Sequence, residues 1–93
     1  MAEKIVNADT PEGQAAGEEV VEVIERQLSA NDPPEVNEAL CRLMSNGETR
    51  ENAIRYIAGA LIVEILAATQ KNEPYNPQRY KKNLERLPRE PID

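Results

Sequence analysis

The sequence predicts a small all-α bundle of three to four helices, with the helix over 49–71 at its centre. Three observations predict it. Cap-and-proline punctuation recurs at Thr10-Pro11, Asp32-Pro33 and Asn76-Pro77, pairs in which a polar cap precedes a residue whose missing N–H costs a first helical turn nothing. Between these marks the apolar residues recur at i, i+3 and i+4, the spacing of one buried helix face. No stretch alternates apolar and polar residues as a half-buried strand would.

The elements follow in order. Residues 1–9 lack a sustained period and read as a flexible N-terminus in which Ile5 and Val6 could dock; residues 10–88 read as one helical domain and 89–93 as a C-terminal tail. In the first helix Gly13 and Gly17 weaken the opening turns, so the helix is expected from about Ala15 to Ala30, burying Val20, Val23, Ile24 and Leu28. Asp32 caps the second helix, Pro33 takes its first position and Glu35 the capping-box position. Val36, Ala39, Leu40, Leu43 and Met44 form its stripe, and Asn46-Gly47 ends it, Gly47 being free to take the left-handed conformation. Thr49 caps the third helix, which runs to about Lys71. Ile54, Ile57, Ala58, Leu61, Ile62, Ile65 and Leu66 make its main face, and Tyr56, Gly59, Ala60, Val63 and Ala67 make an opposite face of smaller residues. Asn76-Pro77 opens a fourth helix with Tyr80, Leu84 and Leu87 on its inner side, stopped by Pro88 and Pro91. Short connections between these helices favour antiparallel neighbours.

A chain of 93 residues is enough for one domain and too short for two. It has no Phe and no Trp, so its core is expected to be Val, Ile, Leu and Ala, thin enough to gain from a partner chain. The net charge is −6, unevenly spread: residues 1–48 hold eleven acids and three bases, residues 49–93 six acids and eight bases. That balance argues against nucleic-acid binding and against an anionic membrane surface. The longest apolar run is Ile57 to Val63, no secretory leader is visible, and the lone Cys41 rules out an intramolecular disulfide, so the chain reads as cytoplasmic.

The stretch from Asp32-Pro33-Pro34-Glu35-Val36, through the leucine-rich helix ending at Gly47 and Glu51-x-Ala53-Ile54-x-x-Ile57-Ala58, to Tyr80 and Leu87-Pro88 resembles short bacterial all-helical domains of unknown function. The resemblance covers residues 32–88 and implies a bacterial origin and a helical fold, with no activity attached. Relatives of that type carry His in the third helix; this chain has no His, so no metal or proton role there carries over.

Catalytic constellations are sparse. Without His there is no Ser-His or Cys-His pair and no zinc set. Cys41, beside the stripe of helix two, reads as a small semi-buried hydrophobe. Glu18-Glu19-Val20-Val21-Glu22 followed by Glu35-Val36-Asn37-Glu38 is similar to the EExxE…ExxD pattern of MazG-type nucleotide pyrophosphohydrolases. That likeness implies Mg²⁺ held by Glu18, Glu19, Glu22, Glu35 and Glu38. Glu38 replaces the pattern's Asp, and Glu35 is already explained by a helix's first turn. Glu64, a lone acid in an apolar helix, is expected to pair with Arg79, Lys82 or a tyrosine hydroxyl. Arg79, Lys81, Lys82, Arg86 and Arg89 make the fourth helix basic, either facing acidic helix one or forming a docking surface for a regulatory partner.

The functional expectation is therefore a non-enzymatic, cofactor-free interaction module that self-associates as a dimer through Tyr56, Gly59, Ala60, Val63 and Ala67. The alternatives are the carboxylate–Mg²⁺ enzyme and a regulatory partner docking through helix four.

Overall fold

The computed structural model describes residues 11–92, with side chains from Gly17 onward. The readings of the N-terminus, including Ile5, Val6 and the Thr10 cap, and of Asp93 lie outside the described residues. Four helices follow one another: α1 (Pro11–Ala30), α2 (Pro34–Ser45), α3 (Arg50–Gln70) and α4 (Pro77–Arg86). Among the described residues there is no strand. The fold is all-α, and α3 packs against each of the other three helices.

Helix ends show how local chemistry sets the boundaries. Thr49 caps α3, its hydroxyl accepting from the Asn52 N–H at 3.0 Å, and Asn76 caps α4 by accepting from the Gln78 and Arg79 N–H groups at 3.1 Å. The helix α2 closes on Gly47 at φ +103°, with Gly47 N–H donating to Met44 O and Glu48 N–H to Leu43 O. This is a Schellman ending. The helix α1 closes the same way on Asn31 at φ 53°, with Asn31 N–H to Leu28 O and Asp32 N–H to Gln27 O; Asn tolerates the left-handed region better than most residues. At the end of α4 a side chain joins the backbone bonds: the Arg42 guanidinium of α2 donates to Leu84 O at 2.9 Å and Leu87 O at 2.8 Å, while Leu87 N–H also donates to Leu84 O.

Two boundaries differ from expectation. The helix α1 starts at Pro11 rather than near Ala15, because proline fits a first position and two glycines lower helix stability without forbidding it. The helix α2 starts one residue later than expected, with Pro34 first and the extended Pro33 as its cap. Asp32 therefore makes no cap bond, and Glu35 falls out of the capping-box register.

The core comprises Val20 and Ile24 of α1, Val36, Ala39 and Leu43 of α2, Ala53, Ile54, Ile57, Ala60 and Leu61 of α3, and Tyr80, Leu84 and Leu87 at α4. It is not purely aliphatic. Tyr80 is its largest fully buried side chain, and the phenol donates to Gln27 Oε1 at 2.7 Å. Burial raises the Tyr80 hydroxyl well above its ordinary value, and negative charge nearby adds to this.

Candidate association surface

The middle of α3 decides which faces remain free. Its buried residues are Ala53, Ile54, Ile57, Ala60, Leu61, Glu64 and Ala67. Five of these, 53, 57, 60, 64 and 67, alternate steps of four and three, the seam of a helix lying in a bundle. Three of the five are alanines, which let neighbouring helices come close. The seam thus selects small residues and one acid over several larger aliphatic ones.

Glu64 sits in that seam at 3% exposure because its charge is matched. Its carboxylate accepts from Arg79 Nε at 2.6 Å and Nη2 at 3.0 Å, and from the Asn76 N–H at 2.8 Å. Asn76 is the cap of α4, so the acid also faces the positive end of that helix. Arg79 extends the pair to Glu73 at 3.3 Å, and the two carboxylates raise the guanidinium's pKa further above its already high value. The network fixes the start of α4 on α3. The expected pairing of Glu64 is what the geometry contains, with Arg79 as partner.

The expected dimer face of α3 is largely occupied within the chain. Ala60 and Ala67 are buried in the core. Tyr56, Gly59 and Val63 are half-buried, and a Cβ built on Gly59 would lie 3.6 Å from Cγ of Pro91. The segment after α4 therefore covers part of the surface assigned to a partner. The cause is steric: small residues favour close approach, and the chain supplies its own approaching atoms.

The exposed apolar residues of α3 are instead Ile62, Ile65 and Leu66, at 41%, 40% and 43% exposure. They belong to the face that sequence alone marks as the main buried one. Spaced i, i+3 and i+4, they adjoin on one side of the helix. From Tyr56 to Gln70 the helix carries a single charge, that of buried Glu64, so the strip lies in a stretch without exposed charge, bounded by Arg55 and Lys71. By length and composition α3 is apolar enough to cross a membrane, with mean hydropathy 1.4 over its most apolar window. In the fold it is the central helix of the bundle.

The carboxylates that a metal enzyme would need do not converge. Glu22 forms an i, i+4 pair with Arg26 on exposed α1. Glu35 pairs with Lys81 of α4 at 3.7 Å. Glu18, Glu19 and Glu38 are exposed. Among the described residues no group of three or more His, Cys, Asp or Glu side chains could hold a metal.

Two cations of α4 meet acids on elements other than α1: Arg79 meets Glu64 and Glu73, and Lys81 meets Glu35. Helix α1 reaches α3 through a bidentate Glu25–Arg50 pair, both bonds 2.9 Å, which lowers the Glu25 pKa. Lys82, Arg86 and Arg89 line an open cleft of about 680 Å³ with Asn83 and Ile92. Cys41 is free and exposed rather than semi-buried, since α2 turns it away from the core.

Two residues that position these surfaces carried no sequence signal: Arg42, capping α4 from α2, and Asn83, fully buried and bonded to the main chain of Ile92. Arg42 reaches α4 from the far side of α3 in sequence, Asn83 bonds the segment just beyond its own helix, and neither sits in a recognisable motif. No family model, curated protein or solved structure matches this chain.

Proposed function

We propose that this protein is a non-enzymatic interaction module that associates with a second copy of itself through Ile62, Ile65 and Leu66 of α3. The observation that carries this reading is their exposure together in a stretch without exposed charge, within an otherwise charge-rich chain. Contiguous exposed apolar surface on a small domain usually marks an association site. The strip also suits a second copy. A twofold axis crossing α3 sets the same residues opposite one another, and an uncharged apolar strip is complementary to itself.

Its size sets the strength. Three half-exposed aliphatic side chains offer on the order of a few hundred Å², well below the roughly 800 Å² per partner of a standard stable interface. The association is therefore weak and concentration-dependent. Two copies at −6 also repel one another at long range, so raising salt should strengthen the dimer. Pairing acidic α1 with basic α4 between copies would give the opposite salt dependence.

Light scattering and sedimentation over a hundredfold concentration range test this. The expected result is a monomer–dimer equilibrium that shifts toward dimer with salt and is lost in Ile62→Lys and Leu66→Lys variants of unchanged helicity. A chain that stays monomeric at near-millimolar concentration, or variants that dimerise as the parent does, would overturn the reading.

A further inference from the structure

The segment Glu90–Ile92 lies across α3 and α4 and is held in an unusual way. Asn83, fully buried, spends its whole carboxamide on one residue: Nδ2 donates to Ile92 O at 2.7 Å, and Oδ1 accepts from the Ile92 N–H at 2.9 Å. This is the two-bond pattern by which one strand residue reads another. Arg86 Nη2 adds a third bond, to Glu90 O at 3.3 Å. All three go to main-chain atoms. Pro91 packs beside Gly59, where a Cβ would stand 3.6 Å from its Cγ, an ordinary van der Waals contact. The Ile92 side chain is 56% exposed and contributes little to the hold.

A site that reads backbone through the Asn83 carboxamide and the Arg86 guanidinium, and packs a proline beside a helix glycine, suits an extended peptide. The present occupant also fills it incompletely. Arg86 Nε is buried with no acceptor among the described residues, although buried polar groups are nearly always paired. We propose that this groove between Gly59 and Asn83 is a recognition site for an extended peptide with a proline at its centre, of which Glu90–Ile92 is the tethered occupant. The proline packs beside Gly59, the following residue is read through its main chain, and an incoming carbonyl or carboxylate satisfies Arg86 Nε. Residues 87–90 tether the occupant to α4, which holds it at an effective concentration in the millimolar range. A free peptide therefore binds measurably only when the tethered segment is loosened. The site is separate from the Ile62 strip, and monomeric protein suffices to test it.

The experiment uses the full chain with Ile92→Pro, which removes the N–H that Asn83 reads. A blocked synthetic peptide of the sequence Pro88-Arg89-Glu90-Pro91-Ile92 is titrated while the Gly59 amide and the Asn83 side-chain amide are followed by NMR. The expected result is saturable movement of both signals in the variant and at least about tenfold weaker binding to the unaltered chain. The same peptide carrying Ile92→Pro should leave both signals unmoved. Absence of saturation in the variant at millimolar peptide, or an equal response to the two peptides, would overturn the proposal. So would an Ile92→Pro chain that fails to fold, because the segment would then be part of the core rather than an occupant of a site.

Discussion

Replacing glycines by alanine tests the packing around α3 from three directions. Gly59 lies inside α3 with ordinary helical backbone, and an added Cβ would meet Pro91 Cγ at 3.6 Å, a normal van der Waals distance. Gly59→Ala therefore gains helix propensity without a clash, worth about 0.5–1 kcal/mol. In a domain of this size 1 kcal/mol corresponds to roughly 4–8 °C in Tm. Gly17 of α1 has nothing within 4 Å of a built Cβ, so Gly17→Ala should give a gain of the same sign from propensity alone. Gly47 also has open space, but its φ of +103° is a conformation that side chains rarely adopt. Gly47→Ala should lose about 1–2 kcal/mol through backbone strain. Urea unfolding followed by helical circular dichroism, with a common slope across the three variants, reads the differences directly. The reasoning fails if Gly59→Ala is destabilised by more than about 0.5 kcal/mol, or if Gly47→Ala is neutral.

Other expectations follow from the same geometry. Ile57→Ala should cost about 2–5 kcal/mol, whereas Ile62→Ala, at 41% exposure, should leave monomer stability nearly unchanged; similar losses for both in dilute unfolding experiments would contradict the burial of α3. Glu64→Leu should destabilise more than Glu64→Gln, which can still accept from the Asn76 N–H, and adding Arg79→Leu to Glu64→Leu should recover part of the loss; strict additivity in the double-mutant cycle would deny the pairing. Tyr80 has a raised pKa, so the stability it contributes is complete below the unfolded phenol's value of about 10 and is lost as pH rises beyond it. Its tyrosinate absorbance should appear together with alkaline unfolding, and Tyr80→Phe should uncouple stability from pH in that range at a cost of about 0.5–1.5 kcal/mol for the Gln27 bond.

Local chemistry made most of the secondary structure legible. The Thr49 and Asn76 caps and the Gly47 terminus are decided within a few residues, by hydroxyl, amide and glycine chemistry that any neighbour context leaves intact. Asp32-Pro33 misled by one residue because either proline of Pro33-Pro34 satisfies a first helical turn; the extended backbone at Pro33 settles the choice. Glu64 was also legible in part. An acid amid aliphatic residues needs a partner, and Arg79 lay within the set that sequence offered.

The exposed strip of Ile62, Ile65 and Leu66 was not legible, for a reason that lies in α3 itself. The sequence by itself determined that this helix is central, since it is apolar almost all round and its flanking segments are not. Being apolar all round, it carries no direction, and ranking its residues by hydrophobicity turns Ile62, Ile65 and Leu66 inward. Only the tertiary structure chose the seam of Ala53, Ile57, Ala60, Glu64 and Ala67. Small side chains allow the neighbouring helices to approach, and Arg79 with the N-terminus of α4 makes a buried carboxylate tolerable there. The larger aliphatic residues were then left at the surface, and the segment carrying Pro91 came to rest on Gly59.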